Sequence, residues 1–395
     1  MAEVIPVSIK SKKSMQVHIS VVIAVLFIFA AFLLSGFNQN AVLPYFFGFF
    51  FGFTLQRSRF CFAGCFRDIF LIRNTSLTRA LLLAVALTSA GFIAVNFLPG
   101  GLQKLESAGK IFPVGVHTVA GGLIFGFGMV IAGSCVSGCL SRMGEGYIMQ
   151  WYTFAGLLAG SALGAWNLGW WHEFSIRQSA AVFLPYVLGW PAAVLLHFLL
   201  IVFFYLLALR LGGEVNNIGS PKRKINIAHA LFTKKWSYTT GAVMLAAGNT
   251  LLFRFWGHPW SITSGLTNLS GWVSCRVGLS PLSWAYFSWL SRCGSETFLY
   301  HPILYLALAM VVGSLFSSLL NSEFRLRRPK NTRYILSALI GGLLMGYSSR
   351  IVLGCNIGAF LSGTSSLSLH GWVFGLSLLP GAALGGKFLI RYLID

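Results

Sequence analysis

Charge is scarce in this chain, and negative charge scarcest. Only 10% of the 395 residues are charged, and 9 Asp and Glu stand against 29 Lys and Arg. No sodium site and no proton-relay chain of carboxylates stands out. Catalytic signatures are missing as well: there is no Walker-type phosphate loop, no Gly-x-Ser-x-Gly elbow, no His-Glu-x2-His and no dinucleotide fingerprint after a strand. The 8 histidines are scattered, and none has metal-ligand spacing with another. These absences exclude ATP hydrolysis, argue against an enzyme, and call for no cofactor and no metal.

What remains is apolar. A chain that is 56% hydrophobic with mean hydropathy +0.75 has too much apolar surface to hide in a soluble core behind a polar exterior. Residues 17–36, 80–98, 180–209 and 302–320 are nearly free of charge and reach the roughly 20 residues needed to cross a hydrocarbon layer of about 30 Å. Residues 151–169, 238–253, 334–353 and 371–394 extend the series. The expected fold is all-α, a polytopic membrane protein of about nine long helices plus short broken or re-entrant helices and internal repeats. Residues 17–36 follow Lys10, Lys12 and Lys13 without an obvious small-residue cleavage site and read as a retained helix.

The net charge of +20 suggests nucleic acid only until its distribution is considered. Lysines and arginines concentrate in short loops, as the positive-inside rule expects of a membrane protein. Lys222, Arg223, Lys224, Lys234 and Lys235 mark one loop, and Arg325, Arg327, Arg328, Lys330 and Arg333 another. With the N-terminal lysines these are candidates for the cytoplasmic side. A further basic stretch, Arg57 to Arg79, conflicts with that assignment if every apolar segment is a simple crossing, so broken or re-entrant helices are expected around it. The longest polar segment divides the chain into a basic tail (1–16), a first membrane half (17–211), a basic loop (212–235) and a second membrane half (236–395).

One pattern occurs three times. Gly48-x3-Gly52, Gly122-x3-Gly126 and Gly342-x3-Gly346 are each followed, nine positions after the second glycine, by a cysteine: Cys61, Cys135 and Cys355. Each cysteine is followed three residues on by Gly64, Gly138 or Gly358. Glycines spaced by four let helices approach closely in lipid. A glycine just after the thiol permits a helix break, where backbone N–H groups turn toward a ligand. A helix N-terminus favours an anion, and a neutral thiol adds a weak S–H donor and a polarizable sulfur. That combination suits a soft sulfur-containing oxyanion better than phosphate, sodium or a sugar. A fourth copy is expected near Pro259 to Gly265, with Thr263 in place of the cysteine. Two copies carry a second thiol, Cys65 and Cys139, where the Cys355 copy has Ala359. Cys275 reads as a core residue, and Cys293, which has no repeat partner, as the same.

The Gly122 to Gly138 motif, the Cys355 segment and Arg59-Phe-Cys-Phe-Ala-Gly-Cys-Phe-Arg67 resemble the YeeE/YedE family of sulfur-transport membrane proteins, from about Pro44 to the C-terminus. The resemblance implies a multi-pass protein of the bacterial inner membrane, shaped like an hourglass, that takes up intact thiosulfate and hands it along a cysteine relay. By motif position the relay is Cys61, Cys135 and Cys355, and a small cytoplasmic sulfur-carrier protein is the implied partner. The doubled cysteines are similar to the YedE branch, whose members are proposed selenium transporters. Thiosulfate and a selenium compound therefore both stand as substrates, with membrane lipid as surroundings and no nucleic acid.

Arg59 and Arg350 are candidate anion-attracting residues, since an ionisable group at membrane depth is costly and faces a cavity or a partner. Asp68 and Glu145 are expected to pair with nearby arginines. Two other readings compete with transport of an anion: a membrane thiol-disulfide oxidoreductase using a Cys-x3-Cys pair, and a soft-metal permease.

Overall fold

The computed structural model describes residues 7–98, 104–212, 235–288, 290, 293–294, 298–329 and 331–394, and no strand occurs among them. The described helices are α1 (Val7–Phe37), α2 (Gln39–Ser58), α3 (Phe62–Leu71), α4 (Ser76–Phe97), α5 (Val116–Ile131), α6 (Val136–Gly144) and α7 (Ile148–Trp171), then α8 (Trp190–Leu211). Across the 212–235 loop follow α9 (Tyr238–Trp256), α10 (Thr263–Arg276), α11 (Pro302–Leu320), α12 (Thr332–Ile351), a π-helical segment Asn356–Ser362, and α13 (Leu369–Leu389). Most of that basic loop, Lys222 to Lys234 included, lies outside the described residues.

Seven helical segments among the described residues are long and apolar enough to cross a membrane: α1, α4, α5 continued by α6, α8, α11, α12 and α13. The protein is thus an all-α polytopic membrane protein. α2, α7 and α9 match them in length but fall short in apolarity, because their faces between neighbouring helices bury Gly48, Thr54, Thr153, Gly160 and Asn249. The span expected over 180–209 is in fact interrupted. A short helix, Leu184–Leu188, stops at Gly189, whose φ of 75° is left-handed, and α8 begins with Pro191 in its first turn. α1 likewise starts before residue 17.

The basic stretches gather on one face. Gln16 donates its side-chain amide to the Phe324 carbonyl, Arg59 pairs with Glu323 at 2.9 Å, and the Trp236 N–H donates to the Arg57 carbonyl. Thr75 abuts Gly212 at the end of α8, and Arg327 lies over the Tyr147 ring. The conflict expected for Arg57 to Arg79 is therefore absent: α2 ends and α4 begins on this face because α3, with only 10 residues, does not cross. The opposite face gathers Asn38 with Tyr300, Pro113 with Ala181, and Phe183 with Ser368.

Each repeat is a long helix, a break, a short helical segment and a second long helix. The first helix of one repeat packs against the last helix of its counterpart: α2 on α11 and α9 on α4, α5 on α13 and α12 on α7. Both pairings run across the 212–235 loop. The glycine pairs lie in these seams. A Cβ at Gly48 or Gly52 would meet the backbone of Leu306 or Met310, one at Gly126 would lie 2.5 Å from the Leu378 carbonyl oxygen, and one at Gly346 would meet the Leu157 carbonyl. Without a hydrophobic driving force between helices in lipid, such backbone contact supplies the packing.

Substituting Gly52→Ala is expected to destabilise the protein by about 1–3 kcal/mol or more, since backbone rather than a flexible side chain must yield. Gly36→Ala, with nothing within 4 Å of its Cβ, is the neutral control. Thermal unfolding in detergent measures both.

Candidate functional site

The three repeated cysteines occupy one structural position. Cys61, Cys135 and Cys355 are the N-caps of α3, α6 and the Asn356–Ser362 segment, all in extended conformation. In each, the carbonyl of the cysteine accepts the first turn's hydrogen bond, from Cys65 (3.2 Å), Cys139 (2.7 Å) and Ala359 (2.7 Å). The fourth copy keeps this first-turn bond, the Leu266 N–H donating to the Ile262 carbonyl at 3.4 Å, but its cap is not extended (φ −133°, ψ −43°). Its cap is Ile262, and Thr263, singled out from the sequence, is the first helical residue after it. A buried aliphatic side chain thus stands where the other copies have a thiol.

The break lies before the cysteine. Arg59, Gly133 and Leu353, each two residues upstream, have φ of 50°, 74° and 61°. Only Gly133 is legible as a left-handed position; Arg59 and Leu353 bear a steric cost of roughly 1–2 kcal/mol. Gly64, Gly138 and Gly358 lie within the short helices instead, and two of them lie where the copies touch. A Cβ on Gly138 would sit 3.9 Å from the Cys61 sulfur, and one on Gly358 3.2 Å from the Ser261 Cβ. The Cys61 and Cys135 breaks are thereby joined, as are the Ile262 and Cys355 breaks. The two pairs meet where the Asn356 side-chain amide reaches the Met129 sulfur at 3.4 Å.

The five remaining thiols are free, and they fall into two sets. Cys135 takes the Gly138 N–H at 3.5 Å and lies 3.3 Å from the Ser137 hydroxyl. Cys65 and Cys139 are engaged by backbone: the Cys65 S–H lies 3.4 Å from both the Cys61 and the Leu77 carbonyls, and the Cys139 S–H donates to the Gln150 carbonyl at 3.2 Å. Cys61 alone is partly exposed. It lines a cavity of about 70 Å³ on the basic side with Arg59, Ser141, Arg142, Glu145 and Tyr147. Burial pushes the Glu145 carboxyl up, against the opposing pull of Arg142, Arg59 and Arg327. Asp68 pairs with Arg67 at 2.8 Å.

Arg350 is 4% exposed and donates to the Tyr286 hydroxyl at 3.0 Å, its guanidinium 5.3 Å from that ring. Asn356 went unnoticed in the sequence. Its Oδ1 is buried without a partner at the meeting point of the breaks, and its place directly after Cys355 was the available signal. Cys275 and Cys293, read as core residues, form a disulfide that closes the segment bearing Tyr286. Their separation of 18 residues carries no motif. Among the described residues, no group of three or more His, Cys, Asp or Glu side chains is placed to hold a metal ion.

Comparison with known proteins gives a family and its members. The family model described as Sulphur transport matches residues 57–384. The thiosulfate transporter TsuA of Escherichia coli (strain K12) is 30% identical over 333 residues, covering 82% of this chain and 87% of its own. TsuA of Spirochaeta thermophila is 30% identical over 361 residues, covering 85% and 94%. The transporter YedE of Escherichia coli (strain K12) is 28% identical over 162 residues, covering 41% and 40%.

Mass spectrometry of the protein digested without reduction is expected to yield the Cys275–Cys293 linked peptide and five alkylatable thiols. Recovery of Cys275 as a free thiol contradicts the pairing.

Proposed function

Because the chain belongs to the Sulphur transport family, we propose that it carries a small sulfur oxyanion, thiosulfate foremost, across the bacterial inner membrane along Cys355, Cys135 and Cys61. The observation that supports this reading is that three helix breaks, each capped by a cysteine, pack against one another. Thiols there offer polarizable sulfur and weak S–H donors to a soft anion, while the cap N–H groups favour negative charge. No covalent step is needed. A dehydrated anion exchanges one S–H contact for the next, and no single site holds it tightly.

Two independent arguments orient the path. Lys and Arg concentrate on the face bearing Arg59, Arg325 and Arg327, which the positive-inside rule assigns to the cytoplasm. The Cys275–Cys293 disulfide lies with Tyr286 and Arg350 toward the other face, and disulfides persist in oxidising compartments. Thiosulfate then enters past Cys355 and leaves past Cys61, where a small sulfur-carrier protein on the cytoplasmic side would receive it.

The second thiols bear on the choice of substrate. Cys65 and Cys139 set this chain apart from a single-thiol relay and suggested a selenium compound, yet both sulfurs are committed to backbone carbonyls. Thiosulfate is also what the relatives matched along four-fifths of the chain are named for. The free state of both Cys61 and Cys65 gives no support to the thiol-disulfide oxidoreductase.

In a strain without other importers, Cys135→Ala is expected to abolish uptake of labelled thiosulfate, and Cys139→Ala to stay within about twofold of wild type, as for loss of a buried packing contact. Wild-type uptake by Cys135→Ala refutes the relay. Uptake of selenite or selenosulfate, but not thiosulfate, by the wild type moves the substrate to selenium.

A further inference from the structure

The face opposite the basic one holds a cavity of about 560 Å³, eight times the volume of the one beneath Cys61. Lys110, His258, His301, Asn40, Ser264 and Trp256 line it. No acidic side chain is among its lining residues, and no ion pair among the described residues involves Lys110. A lysine with no acidic partner among the described residues is unexpected on the face where a membrane protein ordinarily avoids positive charge.

The cavity is built onto the path. Lys110 is tied to the chain that follows Cys355, its backbone N–H donating to the Ser366 hydroxyl at 3.1 Å. Ser264 lies in the first turn of α10, two residues after the Ile262 cap. The Ile262 break therefore supplies part of its wall, and the segment beyond Cys355 anchors the backbone of Lys110. His301 caps α11, and its Nδ1 accepts the Ile303 N–H at 3.3 Å. The neutral ring consequently carries its proton on Nε2, free to donate. Burial, followed by the charges of Lys110 and Arg350, pushes the His301 imidazole down to about 4, so it is neutral at pH 7. Burial and Lys110 act on His258 in the same direction, and burial lowers Lys110 itself. An arriving anion would restore to Lys110 the stabilisation that desolvation removes.

We infer that this cavity is a capture site for a free tetrahedral sulfur oxyanion, with Lys110 as its charge partner, the His301 ring, the Ser264 hydroxyl and the Asn40 amide as neutral donors, and Trp256 and Ile303 as the apolar wall beside the terminal sulfur. The inference rests on the transport reading above and extends it: the anion is concentrated here before it is stripped of water at Cys355. One cation with neutral donors holds a dianion loosely enough to release it inward, whereas a cluster of cations would trap it.

The test is labelled thiosulfate uptake as a function of concentration, together with thiosulfate binding to the purified full-length protein, for wild type, Lys110→Gln and Lys110→Arg. Lys110→Gln is expected to raise the half-saturating concentration and the dissociation constant about tenfold, the worth of one charged hydrogen bond, with the maximal rate within about twofold. Lys110→Arg keeps the charge and is expected to recover most of the affinity, which also separates lost charge from misfolding. Unchanged half-saturation in Lys110→Gln overturns the capture site while leaving the transport reading in place. Binding that depends on Lys110, in a protein that moves no thiosulfate, overturns transport and leaves the capture site standing. A lipid phosphate headgroup offers the same chemistry: if Lys110→Gln releases a co-purified phospholipid with no change in thiosulfate binding, the site belongs to lipid and the inference fails.

Discussion

Breaking a helix inside a membrane exposes backbone N–H and C=O groups where no water can satisfy them, and this constraint governs the structure. Each break must therefore be closed by another part of the protein. In the outer pair Asn249 does so from α9: its Oδ1 accepts the Trp260 N–H at 2.8 Å, its Nδ2 donates to the Ser362 hydroxyl at 3.1 Å, and that hydroxyl donates to the Trp260 carbonyl at 2.8 Å. One amide thus joins the Ile262 break to the segment beyond Cys355. In the inner pair the Ser134 hydroxyl donates to the Gln150 side chain, and Cys139 donates to the Gln150 carbonyl. The second cysteines fit the same requirement, as donors small enough to reach a carbonyl on the next helix.

Satisfying the breaks demands that long helices lie very close, and the glycines supply that closeness. α2, α5 and α12 each bring a glycine pair into direct backbone contact with a helix from the other side of the 212–235 loop. The reciprocal pairing follows. α2 packs on α11 while α9 packs on α4, and α5 packs on α13 while α12 packs on α7. We propose that the halves 17–211 and 236–395 are units of descent more than units of folding, since each buries its seams against the other.

The electrostatics of the two ends differ. At the cytoplasmic end assigned by charge, Arg59 is matched by Glu323, and Glu145 stands among arginines. At the other end Lys110 faces neutral donors. Along the proposed path, a cation with no acidic partner among the described residues at one end and paired cations at the other would favour entry of an anion without holding it at the exit.

Composition and periodicity alone determined that this is an all-α membrane protein, because twenty apolar residues in a row have few other solutions. The repeat of glycines and cysteine was also local enough to read, since a fixed spacing imposes a fixed place on a helix: Cys61, Cys135 and Cys355 do share one position. Tertiary structure decided the rest. The left-handed residues Arg59 and Leu353 carry side chains that do not announce the conformation, because packing imposes it against their preference. Cys65 and Cys139 are thiols like the repeated three, and only the positions of Leu77 and Gln150 reveal that their sulfurs are engaged by carbonyls of the next helix. Lys110, His258 and His301 are far apart in the chain and lack any common motif; they meet because the connection before α5, the end of α9 and the start of α11 surround one cavity. Spacing along a helix is a property of the sequence, but which groups face one another across a cavity depends on how distant segments pack.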